Sequence, residues 1–142
     1  MRKYLAPMII SVFMVITAAS VTPPASAMQG DMEDNPGFTV SRMVIAEGID
    51  DREPVGTAET FSSDTEKVYC FIEARDITED TTVSFVWYFD EKEMARIDLP
   101  LKKGWRWRTY TSKKLAGLQG KWRVELEDTD GNLIDLVEFE VR

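Results

Sequence analysis

From Phe38 to the end of the chain, apolar and polar positions alternate in short runs separated by turn residues. Thr82 to Phe89 shows this best: Val83, Phe85, Trp87 and Phe89 share one face and Tyr88 lies on the other. Lys121 to Glu127 turns Trp122, Val124 and Leu126 inward and Arg123, Glu125 and Glu127 outward. Leu133 to Val141 sets Val137, Phe139 and Val141 against Glu138 and Glu140. Glu93 to Leu101 groups Ala95, Ile97, Leu99 and Leu101. Lys67 to Arg75 is rich in Val, Tyr, Phe and Ile. Phe38 to Glu47 alternates more loosely, with Phe38, Val40, Val44 and Ala46 on one face. Trp105 to Ser112 alternates tryptophan with arginine, and Thr57 to Phe61 is a weaker strand candidate. A repeat of two is that of strands half-buried on a core, and no long segment fits a helical period. Short strands at this spacing predict an all-β fold over residues 38–142: an antiparallel β-sandwich, immunoglobulin-like, of about eight short strands, with a barrel as the alternative.

Two turns are predicted from residue type. Asp128-Thr129-Asp130-Gly131-Asn132 joins the last two strands, and Asp130-Gly131 supplies the positive φ angles of a primed hairpin turn. Asp90-Glu91-Lys92 is the second.

The first residues do not follow the strand pattern. Arg2 and Lys3 precede an apolar run from Leu5 to Ala19, interrupted by Pro7, and Ala25-Ser26-Ala27 has the small-x-small form that signal peptidase cleaves. Residues 1–27 are therefore predicted as a signal peptide cleaved after Ala27, and residues 28–37, polar with Gly and Pro, as a flexible linker. The expected location is periplasmic or secreted, with no membrane span after cleavage. No cysteine stands directly after the cleavage site, where Met28 is found, which argues against a lipid anchor of the usual bacterial kind.

Charge narrows the partners. The 142 residues contain 25 acids, 17 cations and no histidine, for a net charge of −8. The acidic excess disfavours nucleic acid and anionic lipid surfaces. Without histidine there is no Ser-His-Asp or Cys-His catalysis and no histidine-ligated metal. Carboxylate-pair hydrolysis stays open, although the acid clusters Asp90-Glu91-Glu93 and Asp50-Asp51 show no catalytic spacing. The single cysteine, Cys70, shares parity with Val68 and Ile72 and is expected to be a buried, inert thiol. Asp128 to Asn132 resembles the start of a calcium loop, but the twelfth loop position is Phe139 in a strand rather than a bidentate acid. No metal or cofactor site is predicted.

The segment from Gly104 to Lys114 is the most unusual. In a strand, Trp105 and Trp107 share one face and Arg106, Arg108 and Tyr110 the other. On one reading the tryptophans are core, and the arginines pair with Glu125, Glu127, Glu138 or Glu140 on neighbouring strands. On the other, Arg106, Arg108, Tyr110 and Lys113 form a cationic surface that grips a carboxylate or phosphate, the ligand being an anionic glycan, a cell-wall fragment or an acidic protein segment. Trp105, if exposed, is then a stacking platform for a sugar. Arg52-Glu53-Pro54 reads as a structural turn whose charges pair with nearby groups.

Taken together, these segments resemble the bacterial domain of unknown function 2914 (DUF2914). The matching pieces are Arg52-Glu53-Pro54-Val55, Val68-Tyr69-Cys70-Phe71, Val86-Trp87-Tyr88, Trp107 to Lys113, Gly120 to Val124 and Asp128 to Gly131. The resemblance spans Thr39 to Val141. Many relatives carry a histidine two positions before the tryptophan that matches Trp87; here that position is Phe85, so no role of that histidine transfers. The resemblance implies a bacterial source and a binding or accessory role in the cell envelope. The function expected is that of a non-catalytic exported module whose partner is an envelope protein or an anionic polymer. The alternatives are a carbohydrate- or peptidoglycan-binding module using exposed aromatics and, behind it, a carboxylate-pair hydrolase.

Overall fold

The computed structural model describes residues 36–142. The predicted leader and linker residues up to 35 lie outside the described residues, as does the cleavage site after Ala27. Nine strands follow: β1 (Thr39–Asp50), β2 (Glu53–Thr57), β3 (Thr60–Phe61), β4 (Lys67–Ile77), β5 (Thr81–Phe89), β6 (Lys92–Leu101), β7 (Gly104–Lys114), β8 (Gly120–Glu127) and β9 (Leu133–Val141). They form two sheets of order β2-β1-β4-β7 and β3-β9-β8-β5-β6. This is the β-sandwich read from the alternation. The expected count of eight becomes nine because the weak Thr57–Phe61 segment is divided between two strands: its start ends β2, and its end, β3, pairs with β9 in parallel. All other pairings are antiparallel.

The core lies between the sheets. β4 supplies Val68, Cys70, Ile72 and Ala74; β5 supplies Val83, Phe85 and Trp87; β8 supplies Trp122, Val124 and Leu126; β9 supplies Phe139 and Val141. Trp122 stacks on Phe139 at 5.8 Å, and Trp87 meets the same ring edge-on at 6.3 Å. Cys70 is fully buried among these side chains, and desolvation pushes its thiol well above the usual range, so it stays protonated.

The face expected for β1 requires correction. A register shift between Val40 and Arg42 inserts one residue against β4. Such a bulge reverses parity beyond it. Phe38 and Val40 face the core as expected, but then Met43 and Ile45 do so, not Val44 and Ala46. Arg42 is thereby set on the outer face. β1 pairs with β4 only as far as Ala46↔Tyr69; from Ala46 to Asp50 it pairs with β2.

Candidate functional site

The outer face of β4 and β7 collects most of the residues singled out in the sequence. On β4 the alternation that buries Val68, Cys70, Ile72 and Ala74 turns Tyr69, Phe71, Glu73 and Arg75 outward. β7 lies beside it with Arg106 opposite Arg75, Arg108 opposite Glu73 and Tyr110 opposite Phe71. Arg106, Arg108 and Tyr110 therefore share the outer face, as their spacing requires.

Lys113 does not join them. It pairs with the inward-facing Val68, on the opposite side of β7, and its Nζ donates to the Lys114 carbonyl at 3.3 Å. An odd position cannot share a strand face with 106, 108 and 110. Trp105, on the core parity, is nonetheless 67% exposed. It stands where β7 outruns the core, and its ring lies 5.0 Å from the Arg106 guanidinium and 5.8 Å from that of Arg75. Trp107, half-buried, is the β7 tryptophan that packs against the core.

The acids that meet the arginines are not those expected. Glu125 and Glu127 serve Arg123 and Arg96 on the other sheet, Glu140 serves Arg142, and Glu138 lies opposite Arg123 in register. Arg106 and Arg108 instead turn to Glu73 and Glu53. Glu73, 4% exposed, accepts from Ser41 Oγ at 2.7 Å and from Arg75 Nε at 3.2 Å. Arg42 and Arg106 approach it at 3.6 and 3.8 Å. Glu53 accepts from Arg42 Nη2 at 2.9 Å and from Arg108 Nη1. Four guanidiniums thus share two carboxylates. The hydrogen bonds from Arg42 and Arg108 hold Glu53 below the usual carboxylate range. The Ser41 hydroxyl, and then Arg75, do the same for Glu73 against the opposing effect of desolvation. Glu53 was read as part of a turn; the turn itself is Asp51-Arg52, both at positive φ, and Glu53 opens β2.

A groove of about 390 Å³ runs beside this network, lined by Arg52, Phe71 and the unbroken run from Trp105 to Tyr110. Phe71 is fully buried although it points away from the core, with the Arg42 guanidinium 4.9 Å from its ring. Sequence reasoning missed Arg42, Arg52, Phe71 and Arg75 here. The outward parity of Phe71 and Arg75 in β4 was the available signal for two of them.

A second recess, about 440 Å³, lies on the other sheet and gathers Glu59, Glu91, Glu138 and Glu140 around Tyr88 and Arg123. It does unite acids, as a carboxylate-pair enzyme would need. Arg123, however, donates to Glu91 at 2.8 Å and covers the Tyr88 ring at 4.5 Å, while Glu140 is bound by Arg142. The other two, Glu59 and Glu138, are exposed, and neither is withdrawn from water as a general acid must be. In the Asp128 loop the carboxylate accepts from the backbone N–H of Asp130 and Asn132 at 2.9 and 2.8 Å, so it holds the hairpin together. No group of three metal-ligating side chains occurs among the described residues, and none of their helices is long and apolar enough to cross a membrane.

Residues 80–141 match the family model described as a protein of unknown function, DUF2914. This covers the pieces from Val86 onward; Arg52 to Val55 and Val68 to Phe71 lie before it. No curated protein matches the chain. Among solved structures, an immunoglobulin-like protein from Pseudomonas aeruginosa aligns over 74% of this chain and 96% of its own, with a TM-score of 0.51 and 10% identity. A β-glucosidase from Listeria innocua in complex with laminaribiose aligns over 74% of this chain at TM-score 0.48 and 10% identity, and one from Kluyveromyces marxianus over 74% at 0.45 and 9%. This chain spans 16% and 14% of the lengths of those two glucosidase chains. The Pseudomonas match shows the immunoglobulin-like fold.

Proposed function

Over residues 80–141 the chain belongs to the DUF2914 family, and we propose that it is a non-catalytic, exported sandwich module of the bacterial cell envelope that binds an anionic partner on the outer face of β4 and β7. The observation that carries this reading is the surplus of arginine: Arg42, Arg75, Arg106 and Arg108 divide two carboxylates among them, and Arg52 lines the groove beside them. A guanidinium has five N–H donors, so one or two contacts to glutamate leave donors for a carboxylate or phosphate. The surplus stands out in a chain whose net charge is −8. The leader with its Ala25-Ser26-Ala27 site supports export.

The test uses the 142-residue chain and polyglutamate as a generic polyanion, at low and moderate salt. Binding that weakens with salt, and that Arg106→Ala with Arg108→Ala removes while the fold stays intact, is the expected result. Absence of polyanion binding at low salt, or undiminished binding by the double variant, overturns it.

A second reading rests on the exposure of Trp105. An indole face this open can stack on a sugar ring. Co-sedimentation with peptidoglycan and insoluble polysaccharides that resists salt and is lost in Trp105→Ala favours a carbohydrate-binding module instead.

A further inference from the structure

The two sheets have four edge strands, and three carry guards against further pairing. β2 is five residues long and contains Pro54. β3 has two residues. β6 carries Pro100, which has no N–H to offer, and its pairing with β5 shifts register between Trp87 and Tyr88. β7 has none of these guards. It has 11 residues without proline, in unbroken register with β4 from Lys67↔Lys114 to Arg75↔Arg106. It ends its sheet, so among the described residues no strand pairs with its other side.

The groove described above lies beside this strand on the outer face: with Trp105 to Tyr110 it is lined by Phe71 of the paired strand β4 and by Arg52. Residues of both parities line it, from Trp105 to Tyr110 without a gap. Lining by consecutive residues means that β7 presents its backbone there as well as its side chains. The open edge next to it offers a row of N–H and C=O groups, with arginines on the outer face and tryptophans on the other.

Charge selects the occupant. The chain has no acid between Asp98 and Glu125, and β7 carries Arg106, Arg108, Lys113 and Lys114. An antiparallel second copy centred on the groove would set Arg106 against Arg108, and like charges directly opposite destabilise a strand pair. A strand with acids at alternate positions would place them against those same arginines, completing the donors left over from Glu53 and Glu73.

We propose that β7 is a receptor edge for an extended acidic peptide segment, which adds to the four-stranded sheet as a fifth strand. Its acidic residues meet Arg106 and Arg108 on the outer face, and the intervening residues lie beside Trp105 and Trp107. Main-chain hydrogen bonds would supply affinity and the alternating side chains selectivity, as in strand addition generally. The proposal rests on the anion-binding reading of this face and names the partner and its geometry.

The experiment titrates the 142-residue chain with a capped decapeptide alternating glutamate and valine. A second peptide has the same sequence with alternate residues N-methylated on the edge that would face β7. Amide exchange of Trp105 to Tyr110 is the readout. The expected result is slowed exchange along β7 with the first peptide, and at least tenfold weaker binding by the N-methylated peptide and by Arg106→Glu with Arg108→Glu. Equal binding of both peptides, or binding without protection of β7, overturns strand addition while leaving anion binding in place. Polyglutamate binding with no response to the decapeptide has the same meaning, and no response to either polyanion removes both. A response to an insoluble polysaccharide alone assigns the groove to carbohydrate.

Discussion

Arg108 donates to Glu53 across 55 residues of chain, and the two stand on strands at opposite ends of the same sheet. In the order β2-β1-β4-β7, three inter-strand spacings separate them, ~14 Å in a flat sheet. The contact exists because β1 leaves β4 after Ala46 and carries β2 back over the outer face. There Arg42 binds the same glutamate, and Phe71 is sealed from water although it points away from the core. Glu53→Gln, which keeps size and removes charge, should loosen this hairpin. Backbone amides of β2 are expected to exchange severalfold faster while those of β5 and β8 do not change. Unaltered exchange in β2 would mean that the charge on Glu53 does not hold the hairpin in place.

The same network sets an acid limit. Glu53 and Glu73 both have folded pKa values below their ordinary range. Each therefore binds a proton more readily unfolded than folded, so the unfolded state holds more protons and stability rises with pH through that interval. The contribution is fully present above the ordinary glutamate pKa of about 4.3 and is lost as pH falls through the lower folded values. Urea midpoints followed from pH 6 to pH 2 should fall more steeply below that point in the native chain than in Glu73→Gln. Near neutral pH, Glu73→Gln is expected to cost about 2 kcal/mol, since charge-assisted bonds to a buried carboxylate are lost. Parallel pH profiles would contradict this account.

Little of this network was legible in the sequence, although most of the scaffold was. Period-two alternation in β5, β8 and β9 gave their inward faces, because the large apolar side chains of each recur at every second position. The Asp90-Glu91 turn was also readable, and both residues take positive φ. The Asp130-Gly131 turn was placed correctly, but it is not the primed turn expected: only Gly131 takes positive φ, and its N–H closes on the Asp128 carbonyl at 3.1 Å in a wider loop. The partners of Arg106 and Arg108 depend on strand order and on a hairpin folding over a face, which alternation does not encode. Arg42 reached the outer face through a bulge, a one-residue insertion with no Gly or Pro in Thr39 to Met43 to mark it. Trp105 could be core or exposed on the sequence alone, because parity is a property of the strand and not of where the opposing sheet ends.

Arg52 combines strain with a place at the groove. It takes φ of 61° at the hairpin tip beside Asp51 at 49°, a region that costs a side-chain-bearing residue roughly 1–2 kcal/mol relative to glycine. Arg52→Gly should therefore raise stability by about 1 kcal/mol. Because Arg52 also lines the groove, the same change is expected to weaken polyanion binding. Opposite movements of the urea midpoint and the affinity would tie the strained residue to binding. A gain in stability with full affinity would leave Arg52 as a turn residue only.

Two core tryptophans separate hydrogen bonding from packing. Trp87 and Trp122 are both at most 1% exposed and both touch Phe139. Trp122 Nε1 donates to the Leu118 carbonyl at 3.1 Å, whereas Trp87 Nε1 is buried without an acceptor among the described residues. Replacement by phenylalanine removes comparable volume at either site, so the cavity and transfer costs should be alike. Trp122→Phe also strands the Leu118 carbonyl, while Trp87→Phe removes a donor that satisfied nothing. Trp122→Phe is thus expected to be the more destabilising by about 1 kcal/mol in chemical denaturation. An equal or larger loss in Trp87→Phe would show that its indole packs against Phe139 in a way phenylalanine cannot reproduce, and that the unpaired N–H costs the fold little.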